Sequence, residues 1–320
     1  MWKVIMVPTE GSESERSAIS VAVKLAQRFE ADLRLVRVDS TPHLTEPTRP
    51  APLLAVTLQS LREERLARLR KLEALGVQCR VLGEIRVMTA LEEGPVGATL
   101  REYAEKFHVD LIVMSSNARG GLKRLALGSV TDYLIRRTNV PVLVVKPAVS
   151  LPTLTETFSR ILVPLDGSPL AEQILPQVAT LAKEIKASVS LLRVLTPDTY
   201  SQKQIMQPGL PWWDAAIDAA NIYLTRTASY LAHFGVAATM DVVLSDDVAS
   251  AILDYGKRVG ANLIAFATSG AGGMERFVFG TVADELTRQS ETALLVFHPK
   301  RAKISDMTQA DADALVVAEA

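Results

Sequence analysis

Lys3-Val4-Ile5-Met6-Val7-Pro8-Thr9-Glu10-Gly11-Ser12 stands near the start of the chain, and its pattern returns as Arg160-Ile161-Leu162-Val163-Pro164-Leu165-Asp166-Gly167-Ser168. Each copy is a short apolar run that meets proline, an acidic residue and Gly-Ser, the pattern of a buried strand running into a tight turn. A second pair follows in the same order: Leu127-Gly128-Ser129-Val130-Thr131-Asp132 and Phe279-Gly280-Thr281-Val282-Ala283-Asp284. An offset of 156 residues separates Pro8 from Pro164, and one of 152 separates Gly128 from Gly280. The halves are therefore collinear, with only small insertions or deletions between the anchors. Two copies mean paired domains, because a solenoid needs at least three repeats to bury its core.

Working outward from the first copy, Ala18, Val21, Ala22, Leu25 and Ala26 recur at helical spacing behind Ser12, a good N-cap type. Leu33 to Val38 reads as a second strand, followed by a Pro-rich loop from Ser40 to about Pro52. A charged helix is expected from about Thr57 to Ala74, ending before Gly76, and a third strand from Val77 to about Val87. Then come a helix from Val96 to Phe107, strand Leu111 to Met114, a glycine-containing stretch, a helix from Ser129 to Arg137 and strand Val142 to Val145. The second half repeats the order: strand Ile161 to Leu165, helix Leu170 to Ile185, strand Ser188 to Val194, helix Asp214 to Phe234 and strand Val236 to Val243. Helix Val248 to Val259, strand Leu263 to Ala267, Gly270 to Gly273, a helix from Thr281 and strand Leu294 to Phe297 complete it.

Alternating strands and helices, with apolar runs continuous enough to be buried on both faces, specify an α/β fold. Two similar domains are expected, each an open five-stranded, mainly parallel sheet with helices on both faces. The first spans 1–147, a linker 148–158, the second domain 159–300, and a C-terminal tail 301–320 reads as a frayed end.

With 35 basic against 36 acidic residues and no long run of Lys or Arg, the chain lacks the footprint of a nucleic-acid or anionic-membrane partner. No apolar stretch approaches a membrane span and no leader pattern precedes the first strand, so a cytoplasmic location is expected. Cys79 is the single cysteine, which excludes an intramolecular disulfide and a cysteine-based metal cage; it reads as a small apolar strand residue. His43, His108, His233 and His298 show no metal-ligand spacing, and neither a nucleophile elbow nor a Walker-type lysine is present. No catalytic residue, no metal site and no enzymatic activity are expected. The charged segment Arg62 to Glu73 reads as a solvated face with i,i+4 pairs, and Trp212-Trp213 as a packing anchor at a helix start.

In an open parallel sheet ligands bind beyond the carboxyl ends of the strands, where strand order reverses, and the loops after the first and fourth strands of each half converge there. In the second half the later loop is Ala267-Thr268-Ser269-Gly270-Ala271-Gly272-Gly273, and it leads to Gly280-Thr281 at a helix start. Glycines let backbone N–H groups approach an anion, and a helix N-terminus favours negative charge, so phosphate is the natural guest. The plainer reading stays open: such loops also serve as tight turns, and Asp166 or Glu10 ahead of Gly-Ser also serves as a helix cap.

These residues resemble the universal stress proteins, in tandem, over about Trp2 to Pro147 and Ser159 to Pro299. The family's ATP signature is G-x2-G-x9-G-[S/T], with an Asp closing the first strand. The second half carries A-x2-G-x9-G-T at Ala267, Gly270, Gly280 and Thr281, with Asp166 at the acidic position and Pro164 two residues before it. The first half reads S-x2-A-x9-G-S at Ser115, Ala118, Gly128 and Ser129, and its acidic residue is Glu10. The resemblance implies a Rossmann-like fold with ATP as ligand, Mg²⁺ accompanying the phosphates, and adenine contacted through the backbone of Val38 and Val194. Val130 and Val282, next to the signature, and Pro8 complete the implied sites.

The departures favour the second site, since an L-residue at a left-handed backbone position costs roughly 1–2 kcal/mol and its Cβ intrudes on phosphate space. Against this, Arg119, Lys123 and Arg124 in the first half retain some anion affinity where the second has Met274, Glu275 and Arg276. The resemblance further implies that the last strands, exposed apolar edges in isolation, pair the halves as a pseudo-dimer, with a possible homodimer beyond it. The functional expectation is an ATP-binding stress-response protein acting through conformation or partner binding. The alternatives are a ligand-free interaction scaffold and, with Asp166 and Mg²⁺ as its only equipment, a slow ATP hydrolase.

Overall fold

A computed structural model of the chain describes residues 1–40, 51–116, 127–146, 153–196, 212–268 and 280–299, with the side chains of 51–58 and 212 left aside. In the first half β1 (Val4–Pro8), β2 (Asp32–Asp39), β3 (Val87–Glu93), β4 (Leu111–Ser115) and β5 (Val142–Val145) alternate with α1 (Arg16–Phe29), α2 (Ala51–Gly83), α3 (Val96–Lys106) and α4 (Ser129–Arg137). A one-turn helix α5 (Leu154–Thr157) follows, closed by a capping box between Thr153 and Glu156. It gives part of the expected linker a defined structure, with Phe158 fully buried behind it. The second half holds β6 (Arg160–Pro164), β7 (Ser188–Leu195), β8 (Ala238–Leu244), β9 (Leu263–Ala267) and β10 (Ala293–Phe297), with α6 (Pro169–Glu172), α7 (Leu175–Ile185), α8 (Trp212–His233), α9 (Val248–Val259) and α10 (Thr281–Gln289) between them. The expected tail beyond residue 300 lies outside the described residues.

All ten strands form one sheet in the order β3-β2-β1-β4-β5-β10-β9-β6-β7-β8. Neighbours are parallel except β5 and β10, which meet antiparallel with Leu143 opposite Leu295. Strand residues alternate between two packed faces. Ile5, Val7, Val113, Ile161 and Val163 pack on the side of α1 and α7, whereas Met6, Ile112, Leu162 and Ile264 pack on the side of Leu100, Leu134, Ile252 and Leu286. Burial on both faces is why these runs carry no polar alternation. The order reverses between β1 and β4 and again between β6 and β9, which opens one crevice per half at the carboxyl ends.

Residues Val77 to Gly83 are helical, contrary to the expected third strand, which lies instead at Val87–Glu93. Val77, Cys79 and Val81 alternate as a strand would, yet Val77 and Val81 are exposed. The buried positions are Leu72, Gly76, Cys79 and Gly83, with Leu75 partly buried, a stripe at helical spacing. Gly76 does not end the helix. It lets the helix lie against β3, because a Cβ there would meet Thr89 Cγ2 at 2.7 Å, and one at Gly83 would meet Val23 Cγ1 at 2.8 Å. The helix stops at Glu84, which takes a left-handed φ of 49°. Cys79 is thus a buried helix residue, and burial pushes its thiol pKa up.

A smaller expectation also changes. The helix drawn from Leu170 to Ile185 divides into α6 and α7, because Pro176 enters the first turn of α7 and lacks the N–H to continue a helix. α8 begins at Trp212, and Trp213 at that start is 44% exposed. The charged face of α2 is solvated as expected, with Arg68 paired to Glu64 at i,i+4.

Candidate functional site

The second-half crevice holds a cavity of about 280 Å³ bounded by Asp166, Val194, Phe266, Ala267, Gly280 and Thr281. The turn after β6 forms its first wall. Leu165 N donates to Leu192 O at 2.9 Å, and Gly167 then takes a φ of +81°, which glycine alone adopts without strain. Asp166 Oδ1 accepts from Ser168 N at 2.9 Å and from Ser168 Oγ at 2.6 Å. Ser168 Oγ in turn accepts from Ala171 N and caps α6. Arg193 on β7 donates to Leu165 O at 3.2 Å and braces the turn from beneath. The opposite wall is the start of α10, whose N-cap Gly280 offers no side-chain acceptor to the first-turn amides. Those amides and the positive end of the helix dipole therefore border the cavity. Pro164 and Val282 complete the bounds, so seven of the eight expected second-half residues converge; Gly270 lies outside the described residues.

The first-half crevice is similar in shape, about 330 Å³, with Pro8, Glu10, Val38, Gly128, Ser129 and Val130 on its walls. Ser115 lines it as well, and Ala118 lies outside the described residues. Its β1 turn is built differently. Ser12 does not cap through its side chain; the Glu15 carboxylate accepts from Glu10 N, Gly11 N and Thr9 Oγ1 instead. Arg37 donates to Glu10 O at 2.6 Å, the counterpart of Arg193 in the second half. Glu15 and the arginine pair lie outside the family signature; in the sequence Glu15 merely stands against Ala171 and Arg37 against Arg193, and the contacts that give them a role appear only in the fold. A wider depression of about 650 Å³ lies where α1, α5 and α7 meet, away from both crevices and bordered by Lys24, Arg28 and Lys186.

Just past the ends of β9 and β10, Thr268 Oγ1 and His298 Nδ1 share a hydrogen bond of 2.8 Å. Burial holds the imidazole pKa below its ordinary value of 6.5. A histidine with a depressed folded pKa gives its full stabilisation above the ordinary value and loses it as pH falls below that value and through the lower folded one. Stability measured by urea unfolding is expected to drop below about pH 6.5. His298→Gln is expected to flatten that drop, and an identical pH profile for the variant would remove the assignment.

Across the seam, Arg136 of α4 bonds Asp132 at 2.8 Å and Asp284 of α10 at 2.6 Å, and Arg288 holds Asp284 at 2.7 Å. The helices that border the two crevices are thereby joined by ion pairs.

A doubly wound sheet with a crevice at each switch point, an acidic turn on one side and an open helix N-terminus on the other, defines an α/β protein with a candidate ligand site in each half. The Universal stress protein family matches the chain twice, over residues 1–146 and 157–298. The chain belongs to that family as a tandem of two such domains. It is 33% identical over 147 residues to a universal stress protein of Methanocaldococcus jannaschii, covering 46% of this chain and 83% of that one. A Mycolicibacterium smegmatis universal stress protein is 22% identical over 300 residues, 92% of this chain and 97% of the relative. Among solved structures, a universal stress protein from Archaeoglobus fulgidus superposes with a TM-score of 0.64 at 18% identity, over 93% of this chain and 98% of that one, a likeness of fold. No helix among the described residues is long and apolar enough to cross a membrane.

Proposed function

We propose that this protein is a cytoplasmic stress-response regulator that binds an adenine nucleotide, ATP foremost, in the second-half crevice and acts through conformation or partner binding. The carrying observation is that one cavity brings together the Asp166 turn and the uncapped start of α10. Adenine lies against the apolar wall of Val194, Ile252 and Phe266, with Asp166 at that end. The phosphates meet the amides of Gly280 and Thr281, which supply donors and a favourable dipole. Mg²⁺ accompanies the phosphates and offsets their charge.

The role is non-catalytic. Asp166 is the one ionisable side chain on the described wall, and its Oδ1 accepts from Ser168, which supports a binding role over a catalytic one. Occupancy instead biases conformation by differential affinity. Asp284, in the first turn of α10, carries the change to α4 through Arg136. ATP at a hundred times its Kd is expected to stabilise the fold by about 2.7 kcal/mol, read as a rise in melting temperature. No rise with ATP or ADP leaves the ligand-free scaffold as the function, and phosphate release that is lost in Asp166→Ala establishes the hydrolase.

A further inference from the structure

At one wall position the two crevices differ in charge. Glu15 and Ala171 each lie seven residues after the proline that ends the first strand of their half, Pro8 and Pro164. Glu15 is 6% exposed and borders the first crevice; Ala171 borders the second. The Glu15 carboxylate takes Thr9 Oγ1 at 2.7 Å, Gly11 N at 3.1 Å and Glu10 N at 3.0 Å. Two successive amides turned toward one acceptor form an anion-binding concavity, and here the chain's own carboxylate fills it. Among the described residues no lysine or arginine is within ion-pair distance of Glu15. A second fastening joins the same turn to β4, where Ser115 Oγ donates to Ser14 O at 2.7 Å.

In the second half both devices are missing. Ala267 stands where Ser115 does, and Ala171 leaves the Asp166 and Gly167 amides without a side-chain acceptor among the described residues. We infer that Glu15 is a built-in anion that closes the first crevice to nucleotide, so that one chain binds one nucleotide, in its second half. The inference rests on the nucleotide reading of the second crevice. An incoming phosphate meets a carboxylate that no cation among the described residues pairs, and it finds the turn's donors already engaged. The site departs from its sibling by charge, beyond the loss of loop glycines.

Native mass spectrometry of the full chain with saturating ATP tests this by counting bound nucleotides, with circular dichroism confirming that each variant is folded. The wild type is expected to carry one, Glu15→Ala two, and Ala171→Glu none, while Ala171→Gln, which has the size without the charge, keeps one. A count of one in all four overturns the inference and leaves the second-crevice reading intact. Two on the wild type, or an empty second crevice in Ala171→Gln, does the same. None on the wild type removes the nucleotide reading and the inference together. If Glu15→Ala loses its fold along with its turn, the Ala171 pair decides alone.

Discussion

Leu295→Asp is expected to destabilise the protein by about 4–5 kcal/mol or more, because it places an unpaired carboxylate in the middle of the sheet. Leu295 and its register partner Leu143 are both 0% exposed, at the antiparallel join between β10 and β5. At roughly 2–4 °C per kcal/mol for a chain of this class, the melting temperature should fall by about 8–20 °C. The same substitution at Leu244, 53% exposed on the outer strand β8, should stay within about 0.5 kcal/mol. Thermal melts of the two variants side by side make the comparison. Equal, small effects would mean that the halves do not share one buried sheet in solution.

Asp166→Ala is expected to weaken ATP binding by roughly 10–100-fold, the loss of a charged hydrogen-bond partner worth about 1.5–3 kcal/mol. A smaller cost to stability, about 1 kcal/mol, accompanies it because Ser168 N and Oγ lose their acceptor. Glu10→Ala, at the matching position of the closed crevice, should leave ATP affinity unchanged. Isothermal titration separates the two. Unchanged affinity in Asp166→Ala would reduce that residue to a turn cap, the plainer role its sequence context also allows.

The duplication made most of the fold legible, because two copies of strand, turn and helix in register over-determine each other. The central strands were clear from their unbroken apolar runs, since burial on both faces leaves no room for polar alternation. The end of α2 is masked in the sequence for a specific reason. Gly76 looks like a stop signal, and Val77-Gln78-Cys79-Arg80-Val81 alternates as a strand does; only packing against Thr89 shows that the glycine serves close approach. Around Pro176 the neighbours are apolar enough to mask the break between α6 and α7.

At the crevices, the residues named from the β-strand ends and helix starts converge because topology alone brings those segments together. Glu15 was not legible as a functional residue. An acidic residue in Glu13-Ser14-Glu15 looks like an exposed helix start, and only the hydrogen bonds it collects reveal that it is buried. The same holds for Arg37 and Arg193, whose strands give no hint that the guanidinium turns under the neighbouring loop.

The most direct test of the account is to photolabel the full chain with an azido-adenine analogue of ATP and map the modified peptides. Label confined to the second half, on β6, β7 or β9 or the start of α10, and competed away by ATP, is the result predicted. Label spread equally over both halves, or none that ATP competes, would contradict the claim that the second crevice is the nucleotide site.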